Sequence, residues 1–535
     1  MAYDVIIRRA NVVDGTGRPP RHADVAIQDG LIAAVDDLRS AQAAVTINAS
    51  GRVVCPGFID IHGHSDVSMF DDPGAESKVH QGITTDVVGN CGQSPFPCGK
   101  LDPADLQRVV SMTQPGSQLA YDWRDLDGWA QALEGSGISL NVVPQVGHNT
   151  LRLAAGAVEN RPANSEELEC MKRLVSEAVE QGAVALTTAL TGPPAMHASP
   201  EEIATLAAEA GRYEHAFYAS HARLLAGWHF DAVDEAIAVG QLTGIPVQYS
   251  HIAIIDLRHH GGSAEMVGRM EEARSHGVDV RYDVYPYTAG AAGVSSVMPL
   301  WAQEGGVRAL LARLDDPTDR KRIANELGSG FWGGIPLPWD KYVITKSTKE
   351  SLMHYVGWAW TDIAADRGKS PVDALIDIAR EDVFMEGVLH VRSEDDVRYF
   401  LQHPLSMIGS DGTAMAPDGL WRKTKPHPRT YGCYPRILGR YVREYGLLSL
   451  EEAVKKMTSD PADRLGIATR GRVSPGKAAD LVVFDPDVVL DRATWEDPHC
   501  YPTGISDVFV NGVRVVENGT HTQVRPGRVL RRGLA

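Results

Sequence analysis

Long apolar runs are missing from this chain. No window approaches ~18 consecutive apolar residues, so nothing in it reads as a transmembrane helix. The start, Met1-Ala-Tyr-Asp-Val-Ile-Ile-Arg-Arg, lacks the apolar stretch of ~7–15 residues and the small-residue cleavage site of a signal peptide. Positive charge is scarce: 52 Lys+Arg against 69 Asp+Glu leave a net −17. That field repels nucleic acid and anionic lipid, and neither nucleic acid nor membrane is expected as a partner. Cysteine is sparse too. The six are Cys55, Cys91, Cys98, Cys170, Cys433 and Cys500. They are too few for a disulfide scaffold, and the nearest pair, Cys91 and Cys98, is too wide for a CxxC motif. Internal repeats and long low-complexity tracts are also missing. The expectation is a soluble protein of the reducing cytoplasm, with homo-oligomerisation left open.

What is present is ordinary globular material, 43% hydrophobic and 23% charged. At ~150 residues per domain the length suggests three or four domains, or one large barrel with a companion. The first stretch, 1–56, holds short β-prone runs at Asp4–Arg9, Asp24–Gln28, Leu31–Asp36 and Ala44–Asn48, separated by turn dipeptides such as Asp14-Gly15 and Asp29-Gly30. The last stretch, 467–535, reads alike, with Asp480–Phe484, Asp507–Asn511 and the turns Asn511-Gly512 and Asn518-Gly519. Neither end has strands enough for its own core, so the two are expected to pair into one small β domain.

Between them, over 57–466, apolar runs alternate with helical stretches. The runs are Gly57–Ile61, Thr84–Val88, Ser139–Val146, Ala183–Thr187, Phe217–Ser220, Val247–Ser250, Val278–Val284 and Ser406–Ile408. The helical stretches include Ser165–Gln181, Ser199–Tyr213, Phe230–Thr243 and Glu265–His276. The fold class is therefore α/β with a parallel sheet, expected as a (β/α)8 TIM-like barrel; an open doubly wound sheet is the alternative. An excursion over about 288–400, between the seventh and eighth runs, carries Trp301, Trp332, Trp339, Trp358 and Trp360. It is read as an inserted lid or subdomain, its tryptophans either closing a pocket or forming the insertion's own core.

The most informative segment is Pro56-Gly-Phe-Ile-Asp-Ile-His-Gly-His-Ser-Asp66. His62 and His64, two apart at a strand end, can reach one point, and imidazole is the commonest transition-metal ligand. A pair of ordinary loop histidines would look the same. Four more ligand-type residues end later strand-like runs, however: Cys91 in Val-Val-Gly-Asn-Cys-Gly, His221 in Phe-Tyr-Ala-Ser-His, His251 in Val-Gln-Tyr-Ser-His, and Asp411 in Ile-Gly-Ser-Asp-Gly. Each alone has a dull explanation. Together they gather on the rim where barrel enzymes build their sites, which points to a metal centre.

These motifs resemble the amidohydrolase superfamily and, within it, the N-acyl-D-amino-acid deacylases (D-aminoacylases). The resemblance spans nearly the whole chain, from Val12-Val-Asp-Gly-Thr-Gly17 through Gly89-Asn-Cys-Gly92, Ser220-His221-Ala-Arg223 and Asp283-Val-Tyr-Pro-Tyr287. It continues to Lys425-Pro-His-Pro-Arg429 and Gly476-Lys-Ala-Ala-Asp-Leu-Val-Val-Phe-Asp485. It implies a zinc cofactor. Cys91, His221 and His251 would hold a tight zinc; His62, His64 and Asp411 would frame a second, weaker position. Cys91 would stand where many superfamily members use a carboxylated lysine. Zinc lowers the pKa of bound water toward ~7 and polarises a carbonyl. Asp411 would be the catalytic general base and acid, taking a proton from the attacking water and delivering it to the leaving nitrogen.

The same resemblance implies that Arg429 binds a substrate carboxylate, with Tyr285, Tyr287 and Arg223 as further contacts. The chain also departs from the family pattern. His251-Ile252-Ala253 lacks the usual lysine, Leu224 and Leu225 replace acidic residues, and Thr187-Thr-Ala-Leu-Thr-Gly replaces a Ser-Thr-Gly-Leu form. Trp421, Arg422 and Lys423 are candidates to restore the charge. The expected partner is a small-molecule amide, bulkier or less acidic than an N-acetyl-D-amino acid. Two other readings stay open: a cyclic-amide hydrolase of the hydantoinase or dihydropyrimidinase kind, and a non-catalytic binding relative.

Overall fold

In the computed structural model, the strand Phe58–Asp60 pairs in parallel with Ile83–Val88, which pairs with Asn141–Pro144. After Gln145 that last strand resumes as Val146–Gly147 and pairs with Ala185–Ala189. Phe217–His221, Val247–Tyr249, Val280–Val284 and Ser406–Ile408 follow in register, all parallel. A parallel bridge between Gly63 and Gly412 joins the last of these strands back to the first. The structure describes residues 2–109 and 117–533. Among them no helix is long and apolar enough to cross a membrane.

These strands are buried on both faces, which is why they read as continuous apolar runs and not as alternating ones. Ile59, Val87, Val143, Ala185, Phe217 and Met407 pack together inside the ring. Helices follow the strands, and two of them start at capping residues. Asn164 and Glu167 form a capping box for Ser165–Glu180. Ser199 caps Pro200–Ala210, with proline at its first turn.

The two ends meet in one nine-stranded sheet. The hinge is Val53–Pro56, a strand not marked in the sequence reading because it runs into Pro56-Gly57. It pairs in parallel with Tyr3–Val12 (Val12 opposite Val54) and antiparallel with Leu481–Phe484 (Cys55 opposite Val482). Beyond Thr520–His521 the tail leaves this sheet. Gly527 N–H donates to Ile138 O (2.8 Å) and Leu530 N–H to Val142 O (2.7 Å), so the tail lies along a barrel strand.

The excursion after Val280–Val284 carries its own three-stranded antiparallel sheet, Gly290–Gly293, Tyr342–Lys346 and Glu386–Leu389. It has its own core around Tyr342, Ile344, Trp360 and Ile376. Trp360 is fully buried there, Trp301, Trp332 and Trp339 pack at its margin, and Trp358 is exposed. Trp332 also touches the barrel: its carbonyl accepts from Ala226 N–H (2.9 Å), just beyond His221.

Candidate metal centre

The ring of parallel strands puts six ligand-type side chains at one end, the carboxyl ends of the strands. His62 and His64 follow Phe58–Asp60, Cys91 follows Ile83–Val88, and His221 ends Phe217–His221. His251 follows Val247–Tyr249, and Asp411 follows Ser406–Ile408. Three of them leave the strand through left-handed backbone: Cys91 (φ 51°), His251 (φ 36°) and Asp411 (φ 49°). Few L-residues adopt that region, and such strain collects where a site needs a side chain re-aimed. At Gly63 the requirement is steric: a Cβ would stand 1.8 Å from Asp86 Oδ1. Only glycine fits against that carboxylate between His62 and His64.

The ligand atoms form two overlapping sets, His62–His64–Cys91 and Cys91–His221–His251, each within 4.8 Å. Cys91 belongs to both. Its Sγ lies 3.4 Å from His62 Nε2 and 3.4 Å from His251 Nε2. Ligands around a tetrahedral zinc with bonds of about 2.0–2.3 Å stand roughly 3.3–3.8 Å apart. Thiolate, imidazole and carboxylate are the donors such a borderline-soft ion takes, so the residues present fit zinc. Asp411 closes the group, Oδ1 at 2.9 Å from His64 Nε2 and 3.7 Å from His62 Nε2.

Electrostatics follow from this crowding. Burial opposes ionisation of Cys91, but the charges of His62 and His251 and hydrogen bonds from His221 and His251 outweigh it and hold the thiol well below its ordinary range. Burial likewise opposes the Asp411 carboxylate, and Arg429 and His64 overcome it. His64 is lowered by burial but raised more by Asp411 and Cys91, to about 9. Cys91 and Asp411 are thus favoured as thiolate and carboxylate, the forms that bind a metal ion.

Two buried supports were not singled out from sequence. Asp283 Oδ1 lies 3.0 Å from His62 Nδ1 and accepts from His251 N–H at 2.7 Å, while Oδ2 accepts from Gln248 (3.0 Å). Turning the His62 Nδ1 edge toward a carboxylate leaves Nε2 for a metal. Below it, Lys78 Nζ bridges Asp60 Oδ2 (2.7 Å) and Asp86 Oδ2 (3.3 Å), and Asp60 Oδ1 accepts from Ser410 N–H (2.8 Å). The signal available in the sequence was an acidic residue inside an apolar strand, which has no reason to be there unless it is paired.

Arg429 begins the helix Arg429–Arg436 and is buried, with Nη1 2.8 Å from Asp411 Oδ2. The same nitrogen has no partner in hydrogen-bond alignment, so the contact is a charge pair off axis. The guanidinium carbon stands 4.6 Å from the centre of the Tyr285 ring.

Two residues expected as substrate contacts are engaged with other parts of the chain. Tyr287 does not join Tyr285. Its N–H bonds back to Tyr285 O (3.0 Å), a tight turn that ends strand alternation. Its ring packs under Arg436 at 4.6 Å and its hydroxyl donates to Pro428 O (3.4 Å). Arg223 is already engaged. Its fork meets Glu235 (3.1–3.2 Å), and its Nη1 and Nη2 donate to Met196 O (2.6 Å) and Ala198 O (3.4 Å). Nor do Arg422 and Lys423 restore charge at the site; both are exposed, and Lys423 pairs with Glu350 at 3.5 Å.

Known proteins share this architecture. An amidohydrolase family model matches residues 45–133 and 371–516. The N-acyl-D-glutamate deacylase of Alcaligenes xylosoxydans xylosoxydans is 36% identical over 99% of this chain and 96% of its own. The D-aminoacylase of the same organism is 33% identical over 100% of this chain and 98% of its own. Among solved structures, the N-acyl-D-glutamate deacylase of Bordetella bronchiseptica, complexed with zinc and a phosphonate mimic of the tetrahedral intermediate, superposes with a TM-score of 0.83. It is 34% identical and covers 99% of this chain and 100% of its own.

Proposed function

The chain belongs to the N-acyl-D-amino-acid deacylase family of the amidohydrolases, and from that membership we propose that it is a zinc-dependent hydrolase cleaving N-acyl-D-amino acids into a carboxylate and a free amino acid. That it is a metal-dependent hydrolase of carbon–nitrogen bonds other than peptide bonds follows from the family itself. The finer reading rests on one observation above others: the Cys91 sulfur shared between two three-residue ligand sets, with Asp411 wedged between His64 and Arg429.

In this reading Cys91, His221 and His251 hold one zinc, and His62, His64 and Asp411 frame a second position. When bound, zinc supplies Lewis acidity, polarising an acyl carbonyl and making water nucleophilic near neutral pH. Asp411, ionised by its neighbours, accepts the proton of the attacking water at a carboxylate oxygen. It then returns that proton to the departing nitrogen, without which an amine leaves poorly. Arg429 would receive the substrate's α-carboxylate, and Tyr285 would offer that group a flat wall.

Leu224 and Leu225 favour a bulkier acyl half. Ala253 alone would favour a less acidic substrate, but the insertion brings another guanidinium, Arg392, to the Tyr285 side, and a free carboxylate remains part of the proposed substrate. All six cysteines are free thiols, in keeping with a proposed reducing compartment. The test is a hydrolysis screen over N-acetyl-D- and L-amino acids and cyclic imides, on protein loaded with zinc. Release of D-amino acids, faster than L, is expected. Cleavage of cyclic imides alone, or of nothing, would overturn the reading.

A further inference from the structure

Arg392 is half-buried, its guanidinium has two buried nitrogens, and among the described residues it has no counter-ion. It sits between the insertion's last strand, Glu386–Leu389, and the helix Glu394–Gln402 that returns the chain to the barrel. Its N–H donates to Thr288 O (3.0 Å), pinning the exit of the insertion to its entry. Its guanidinium carbon lies 4.0 Å from the centre of the Tyr285 ring. Arg429 faces the same ring at 4.6 Å. Arg429 has Asp411 beside it, whereas Arg392 has no carboxylate within 4 Å among the described residues. Its Nε and Nη1 are buried and hydrogen-bonded to nothing.

A guanidinium stays protonated in proteins, so Arg392 cannot escape by losing its charge. Burial and the nearby Arg429 both work against that charge, with only Tyr285 and the more distant Asp411 favouring it. The ring face offers attraction but no acceptor for the idle donors. Loops rarely leave such a group uncompensated unless a ligand completes it. The surroundings show where that ligand would lie. A Cβ at Gly290 would stand 3.6 Å from Tyr285 Oη and 3.8 Å from Arg392 Nη2, so phenol and guanidinium face one small space.

We propose that Arg392 is a specificity-determining residue that receives a carboxylate of the substrate, beside the one assigned to Arg429. The inference deepens the hydrolase reading and rests on it. The carboxylate has two sources, the α-carboxylate shared with Arg429 or a second one on the amino-acid side chain. Both present the same planar anion to a fork of donors.

Three substrates separate them in zinc-loaded protein: N-acetyl-D-methioninamide, N-acetyl-D-methionine and N-acetyl-D-glutamate. In Arg392→Met the ratio of kcat/KM for acid over amide should fall about 10–100-fold, chiefly through KM, as expected for a lost buried charge contact. Arg392→Lys should recover part of it. A fall shared by both acids assigns the α-carboxylate; a fall confined to glutamate assigns the side chain. An unchanged ratio in Arg392→Met overturns the proposal. A second readout does not need turnover: glutarate should raise the unfolding temperature of wild type more than that of folded Arg392→Met. If wild type hydrolyses nothing yet glutarate discriminates the two proteins, the hydrolase reading fails and the anion site stands. If glutarate protects both alike and the ratio is unchanged or unmeasurable, the anion site fails.

Discussion

Lys78 Nζ lies 2.7 Å from Asp60 Oδ2, and neither side chain reaches solvent. The pair stands under the metal centre: Asp60 precedes His62 by two residues and accepts from Ser410 N–H, next to Asp411. It therefore ties the first barrel strand to the last. Replacing Lys78 by Met leaves Asp60 and Asp86 buried without their cation. The expected cost is about 3–5 kcal/mol, the usual result of breaking a buried pair from one side. Denaturation midpoints measure it, and a variant as stable as wild type refutes the role.

Cys91 is common to both ligand sets, and His64 to only one. Cys91→Ala should therefore empty both positions, while His64→Ala should spare the Cys91–His221–His251 position. Metal analysis after exhaustive dialysis distinguishes the two. Equal metal content in both variants would mean that the sulfur is not shared.

Asp411→Asn keeps the size of the side chain and an oxygen near His64, but it cannot take a proton. Loss of general acid–base help costs about 10²–10⁴-fold in kcat. The expectation is such a loss with metal retained at the Cys91–His221–His251 position. Full activity in Asp411→Asn would remove the residue from the reaction.

Asp283 reaches the metal centre only through His62 and the backbone of His251. Asp283→Asn should weaken metal affinity about 10–100-fold, the range found for partners that orient a ligating histidine. Zinc titration against a chelator reads this directly. Activity should return in excess zinc, which a catalytic defect would not allow.

Glu202 gives a pH-dependent stability. Burial would raise its pKa, but hydrogen bonds from His148 and the Ala163 N–H, with the Arg152 charge, pull it down to about 2. A depressed carboxylate stabilises the fold fully above its unfolded value of about 4.3, and the contribution is lost as pH falls toward the folded value. Glu202→Gln should thus cost about 2–3 kcal/mol at pH 7, with the gap to wild type narrowing below about pH 4. A gap independent of pH would show that packing, not charge, is responsible.

Much of this was legible in the chain. Strands buried on both faces appear as largely apolar runs, and each of the eight runs read that way overlaps a strand. His62, His64, Cys91, His221, His251 and Asp411 were legible because each ends such a run, and all parallel strands end on one side. The insertion's strands were not read, since its Gly-rich turns and scattered tryptophans follow no period. That Tyr287 packs under Arg436 was not legible, because it lies three residues past the end of Val280–Val284, where strand periodicity no longer applies. The pairing of Arg223 with Glu235 was not legible, because nothing local announces a partner twelve positions on.

The sequence by itself determined the order of runs, the ligand types at their ends and the family they belong to, because these depend on periodicity and on short motifs. Only the tertiary structure decided that one sulfur lies in two clusters of ligand-type side chains, that Asp283 faces His62, and that Arg392 and Arg429 meet the same Tyr285 ring. Those contacts join residues on separate elements, some of them more than 100 positions apart, such as Tyr285 and Arg392. Distances of that kind are set by how strands and insertion close around each other, and no local pattern encodes them.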